Sequence, residues 1–145
     1  MNSFSVISVN ISSEKGTPKT PVERILLKEN YGVVGDAHAG EHDRQVSILA
    51  SEDISVLRNE GVVISFGDMA ENITTIELDT GILKPGFLLT IGNAELIITQ
   101  IGKECHGGCA IMKKSGRCIM PKRGLFAKVI KGGIIKNEDK GYYSI

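Results

Sequence analysis

All three cysteines of this 145-residue chain, one of its three histidines and a basic cluster fall in one run, Q-I-G-K-E-C-H-G-G-C-A-I-M-K-K-S-G-R-C-I-M-P-K-R-G-L-F at 100–126. Cys105, His106, Cys109 and Cys118 are soft or borderline ligands that can clasp a tetrahedral metal such as zinc. Their spacing, C-H-x-x-C with one further cysteine nine residues on, is not that of a standard zinc knuckle. The alternative is thiol chemistry. A thiolate is the form that binds metal or attacks sulfur, and nearby positive charge or backbone N–H groups lower a thiol's pKa. Cys109 follows a His-Gly-Gly turn, and Lys103, His106, Lys113, Lys114, Lys122 and Arg123 are close to it in sequence. Cys118, flanked by Arg117 and Ile119-Met120, can also be simply a small buried apolar residue.

Two further polar groupings stand beside apolar runs. Gly35-Asp36-Ala37-His38-Ala39-Gly40 reads as a loop bounded by glycines, with His42, Arg44 and Gln45 following before Val46 to Ala50. Such a loop can present His38 and Arg44 to a ligand, or Asp36 and Arg44 can merely pair and tie it down. Glu71-Asn72 lies between Gly67-Asp68 and a β-branched run. Asn72 can read a heterocycle edge through its donor and acceptor, or close a turn.

The elements that must position these groups are mostly strands. Phe4 to Ile11, Arg24 to Leu27, Val46 to Ala50, Asn72 to Glu77, Leu88 to Ile91, Ala94 to Ile101 and Gly133 to Lys136 are short runs between turn signals. Gly92-Asn93 separates two of them as a two-residue hairpin loop does. Helices are few. Ser51 reads as an N-cap before Glu52, Asp53, Ile54 and Leu57, with Gly61 past the end. A second short helix is expected from about Gly124 to Lys131, with Gly132 as its stop, and its start would place Lys122 and Arg123 where free N–H groups favour anions.

Seventeen basic and seventeen acidic residues cancel, so no net positive charge favours nucleic acid. No run of about 18 apolar residues suggests a membrane span, and the N-terminus lacks the pattern of a signal peptide. The expectation is a single cytoplasmic domain over 1–145 that binds neither nucleic acid nor membrane. An odd number of cysteines there points to metal or thiol chemistry rather than a disulfide framework.

Four stretches together carry a family resemblance: G-T-P-K-T-P-V near the start, G-V-V-G-D-A-H-A-G-E-H-D-R-Q-V-S-I-L-A at 32–50, G-D-M-A-E-N-I-T-T at 67–75, and the cysteine-bearing run through to G-L-F-A-K-V-I-K-G-G at 133. In order and spacing the chain resembles the MOSC domain, the module also found at the C-terminus of molybdenum cofactor sulfurases. The resemblance implies a mainly β fold, a barrel with a few short flanking α-helices. It also implies an association with molybdenum cofactor (molybdopterin) or with sulfur carried on a cysteine. Cys109 matches the family's cysteine best, as molybdenum ligand or persulfide carrier. Gly107-Gly108 stands where other members often have an S-P-C-like turn, and Cys105 and Cys118 resemble a cysteine-rich subset. His38, Arg44, Gln45, Glu71, Asn72, His106, Lys122 and Arg123 become the expected cofactor-binding residues. The partners implied are a molybdopterin or sulfur-containing small molecule and a protein of molybdenum cofactor biosynthesis or a reductase. A molybdenum-dependent reductase of N-hydroxylated compounds with a separate electron donor is one alternative. A non-enzymatic domain clipped by zinc is the other.

Overall fold

In the computed structural model, residues 2–102 and 123–144 are described. Along them the elements run β1 (Ser3–Ile11), β2 (Thr20–Val22), β3 (Arg24–Lys28), β4 (Gly32–Val33), β5 (Val46–Ala50), α1 (Ser51–Asn59), β6 (Ile73–Ile76), β7 (Leu88–Ile91), β8 (Ala94–Ile101), β9 (Leu125–Lys131), β10 (Gly133–Lys136) and β11 (Lys140–Ser144). Seven strands close a barrel in the order β11-β7-β8-β9-β5-β6-β1, with β1 pairing back to β11 and β2 extending beyond β1. At that closing seam Phe4 lies opposite Gly141, and a Cβ on Gly141 would stand 2.3 Å from the ring of Phe4. The glycine thus makes room for a core aromatic where the barrel shuts. A smaller sheet, β10-β3-β4, packs alongside.

The strand period explains the core. Along β8, Ala94, Leu96 and Ile98 are buried while the residues between them are partly exposed, so one face points into the barrel. That face joins Phe4, Val6, Val46, Ile48, Ile73 and Leu89 in the interior cluster. A second cluster sits outside the barrel wall, where Ile54 and Leu57 of α1 pack with Leu49, Ile64, Met69, Ala70 and Phe126. Because β5 is covered on both faces, all five of its residues are buried. The 88–91/94–101 hairpin forms as the sequence predicts, with Ile91 opposite Ala94.

Two expectations need correction. Residues 124–131 form no helix: β9 occupies Leu125–Lys131. Leu125, Ala127 and Val129 face the barrel core while Phe126 packs under α1. Burial on both faces removes the alternation that marks a strand and leaves an apolar run readable as a helix. Helix α1 also begins one step differently, with Ala50 at the N-cap, no side-chain cap bond, and Ser51 already helical. Among the described residues no helix is long and apolar enough to cross a membrane.

Candidate functional site

The glycine-bounded loop after β4 is fastened at both ends. At its start, Asp36 accepts the backbone N–H of His38 (3.0 Å) and that of Ser12 at the end of β1 (3.0 Å). The first of these is the local turn that aspartate makes two residues ahead of itself. Lys19, from the segment leading into β2, places its Nζ 2.8 and 3.0 Å from the two carboxylate oxygens of Asp36. The same ammonium lies 2.9 Å from His38 Nδ1 and 3.2 Å from Ser12 Oγ. Lys19 and Asp36 side chains are fully buried, and His38 remains 30% exposed. Burial alone would push the Asp36 carboxyl up, but its contacts with His38 and Lys19 and the lysine's charge outweigh it and hold Asp36 well below the usual carboxylate range. Asp36 therefore pairs with Lys19 rather than with Arg44.

At the other end the loop is fixed to β8 and β9. The Thr99 hydroxyl of β8 lies against the carbonyls of Asp43 and Phe126. The exposed guanidinium of Arg44 stacks 5.9 Å from the centroid of Phe126, and the Arg44 N–H donates to His42 Nδ1 at 3.1 Å. Gln45 turns inward. Its Oε1 accepts the Val129 N–H (3.0 Å) and its Nε2 donates to Asn30 Oδ1 (3.1 Å). Both ends of that buried amide are taken by protein, so Gln45 builds the wall beneath the loop rather than its rim.

Glu71 and Asn72 lie in the same wall. Phe126, Ser47, Asn72 and Asn10 form a lateral row from β9 through β5 and the start of β6 to β1: Ser47 pairs with Phe126, the Asn72 N–H donates to the Ser47 carbonyl, and the Asn10 N–H donates to the Asn72 carbonyl. Three strand spacings make that row about 14 Å long, and the loop crosses it from Asp36 to Arg44. Asn72 Oδ1 accepts the Ser47 N–H (3.0 Å), and its Nδ2 donates to the Asn10 carbonyl (3.2 Å). Glu71 is fully buried. Its Oε2 accepts the Gly67 N–H (3.0 Å) and the Thr74 hydroxyl (2.8 Å), while Oε1 meets no hydrogen-bond partner. Burial pushes the Glu71 carboxyl up to about 7 against those bonds. Gly67 has φ +90°, and a Cβ there would stand 2.3 Å from the Lys19 carbonyl, so this turn closes on the lysine segment only with glycine at 67.

Arg123 stands apart from that loop. Its Nε donates to Asp53 Oδ1 (2.9 Å) and its terminal nitrogen to Thr80 Oγ1 (3.0 Å). It lines an open cleft of about 420 Å³ together with Glu52, Asp53, Glu77 and Asp79. With β9 in place of the expected helix, no helix begins at Gly124, and the arginine is engaged by a carboxylate. Cys105, His106, Cys109, Cys118 and Lys122 lie outside the described residues. Their flanks are joined, since the Gly102 N–H donates to the Gly124 carbonyl at 2.7 Å. Among the described residues no three His, Cys, Asp or Glu side chains are grouped to hold a metal.

The chain is similar in fold to the YuaD protein from Bacillus subtilis, with a TM-score of 0.79 at 17% identity over 97% of this chain and 95% of that one. YiiM from Geobacillus stearothermophilus gives 0.76 at 19% identity, covering 98% and 75%, and YiiM from Escherichia coli gives 0.71 at 17%, covering 99% and 70%. The fold is MOSC-like. No family model matches the chain, and no curated protein does.

Within this MOSC-like fold, sequence reading passed over Lys19, Thr99 and Phe126. Lys19 sits in one of the stretches that carry the resemblance, T-P-K-T-P-V, which is the signal that could have found it. A threonine and a phenylalanine in apolar runs carry none.

Proposed function

We propose that the chain handles a molybdenum cofactor or cysteine-bound sulfur, with Cys109 as metal ligand or persulfide carrier and the loop from Asp36 to Arg44 facing the ligand. One observation carries this reading. The loop that presents His38 and Arg44 is fastened by Thr99, three residues before Gly102, and stacked on Phe126, two residues after Gly124. The strand ends that lead into and out of the cysteine-bearing segment are therefore the ones the loop is tied to. The MOSC-like fold supports the same assignment.

The described residues suit the anionic part of such a cofactor. Arg44 keeps an exposed guanidinium, a planar cation fitted to phosphate, and His38 a partly exposed ring. Gln45, Glu71 and Asn72 would act from behind, by holding the strands on which the loop rests. Arg123, engaged by Asp53 and Thr80, would anchor the end of the cysteine-bearing segment rather than meet the ligand. A bound molybdenum centre would supply oxo- or sulfido-transfer chemistry, while the chain binds and orients it.

The test is elemental analysis of wild-type and Cys109→Ser protein, purified without oxygen from a host that makes molybdenum cofactor. Molybdenum or tungsten that disappears with Cys109, or a persulfide on Cys109 in metal-free protein, is the expected result. Stoichiometric zinc, or molybdenum unchanged in Cys109→Ser, would overturn the assignment.

A further inference from the structure

We infer that His38 is a preset hydrogen-bond donor, its Nε2–H fixed outward by the buried Lys19–Asp36 pair and directed at an oxyanion of the bound ligand. The inference deepens the proposed function and rests on its placing an anionic ligand at this loop.

The argument runs on donor and acceptor counts. An ammonium offers three N–H donors and no acceptor. Lys19 Nζ is surrounded by both carboxylate oxygens of Asp36, Ser12 Oγ and His38 Nδ1, all within 3.2 Å. Asp36 needs no proton of its own, because backbone N–H groups of Ser12 and His38 and the ammonium already surround it. His38 Nδ1 stands 2.9 Å from the ammonium and 3.8 Å from Asp36 Oδ2, so only the ammonium is within hydrogen-bond reach and Nδ1 is the acceptor. A neutral imidazole with a bare Nδ1 carries its proton on Nε2. With its Nδ1 edge facing the ammonium, the ring has its Nε2–H edge left for a ligand. The backbone N–H of His38 bonded to Asp36 fixes its base, and the lysine fixes one edge of the ring. The 30% of the side chain left exposed is what a ligand meets.

A fixed neutral donor suits an anionic oxygen, which in this class of ligand comes either from a phosphate group or from a metal-bound oxo group. Lys19 and Asp36 touch neither and are positioning residues. Their role differs from simple structural support in one measurable respect, the tautomer of His38.

The experiment is nitrogen-15 NMR of the imidazole resonances at neutral pH, on wild-type protein and on the double variant Lys19→Met/Asp36→Asn, which removes both buried charges together. Wild type is expected to show His38 protonated at Nε2 alone, and the double variant to show the mixed tautomers of a free histidine. Titration with inorganic phosphate and, separately, with molybdate should move the His38 resonances saturably in one arm, which names the source of the oxyanion. His38→Ala should weaken that anion about tenfold, while His38→Gln, which keeps a donor N–H on a side chain of similar reach, should restore most of the affinity. A His38 protonated at Nδ1, a wild-type tautomer unchanged in the double variant, or no response to either anion would overturn the inference. Cofactor handling itself is tested separately through Cys109, so either idea can fail alone.

Discussion

Glu71 gives the sharpest test of the polar wall. Its carboxyl is fully buried with one oxygen satisfied twice and the other not at all, so burial dominates and lifts it from an ordinary 4.5 to about 7. A carboxyl raised on folding adds stability that is complete below the unfolded value and is lost as pH rises through the folded one. At about 1.4 kcal/mol per pKa unit the loss between those limits is about 3 kcal/mol. Glu71→Gln keeps an oxygen for the Gly67 N–H and the Thr74 hydroxyl and cannot ionise, so it copies the protonated acid. In urea titrations the variant should match wild type, apart from a constant offset, near about pH 4, and gain on it by about 3 kcal/mol by about pH 8. In thermal melts of a chain this size, that is a relative gain of about 10 °C. All other titrating groups are common to both proteins and cancel in the comparison. Curves that run parallel from acid to base would refute the reasoning, because they would mean that solvent or a partner satisfies Oε1 and that Glu71 ionises as it does unfolded.

Three further outcomes follow from the same contacts. Asp36→Asn leaves the fully buried Lys19 ammonium without its carboxylate and should cost about 3–5 kcal/mol in urea unfolding, with Lys19→Met/Asp36→Asn milder than the sum of the singles; because Asp36 is held low, the pair's contribution is present above about pH 4 and fades only as pH falls below it. Gly67→Ala, which sets a Cβ 2.3 Å from the Lys19 carbonyl at φ +90°, should cost about 2 kcal/mol or more, whereas Gly16→Ala, at φ +74° with nothing within 4 Å, should cost only about 1 kcal/mol from backbone strain alone. Arg44→Ala removes an exposed cation–π contact and should change stability by under about 1 kcal/mol, yet lower the molybdenum retained by protein from a cofactor-producing host severalfold by elemental analysis.

Where turn residues bound an apolar run, the sequence was legible: β1, β3, β5, β7, β8 and β10 fall within a residue or so of their expected places, and the Gly92-Asn93 hairpin is where a two-residue loop must put it. Strand β9 was not, because a strand wedged between a barrel core and an outer helix loses its polar face. Strand β11, Lys140–Ser144, carries too few β-branched residues to announce itself, and it forms because Gly141 admits the ring of Phe4 at the closing seam. The site divides the same way. The loop at 35–45 is visible through its glycines and its concentration of Asp, His and Arg. Its anchors are not, since Lys19 is seventeen residues from Asp36 and Thr99 fifty-six from Asp43, and only the barrel brings them together.

The Lys19–Asp36 pair is a poor stabilising device by itself. Two charges removed from water lose several kcal/mol of hydration each, and well-packed apolar replacements of such pairs are often neutral or more stable. What apolar residues could not do is orient an imidazole. An isoleucine at 19 would leave His38 free to choose either tautomer and to rotate, whereas an ammonium held by two carboxylate oxygens defines which nitrogen is bare. The pair therefore makes most sense as part of the loop's function. The same comparison applies to Gln45 and Asn72, whose amides each tie two segments together: Val129 and Asn30 through one, Ser47 and Asn10 through the other. Polar side chains stiffen the wall under the loop, a buried ion pair sets the direction of its histidine, and an aromatic under Arg44 fixes its far end. A loop so fully tied holds its two outward groups at a fixed separation, which is what recognition of a rigid anionic ligand requires.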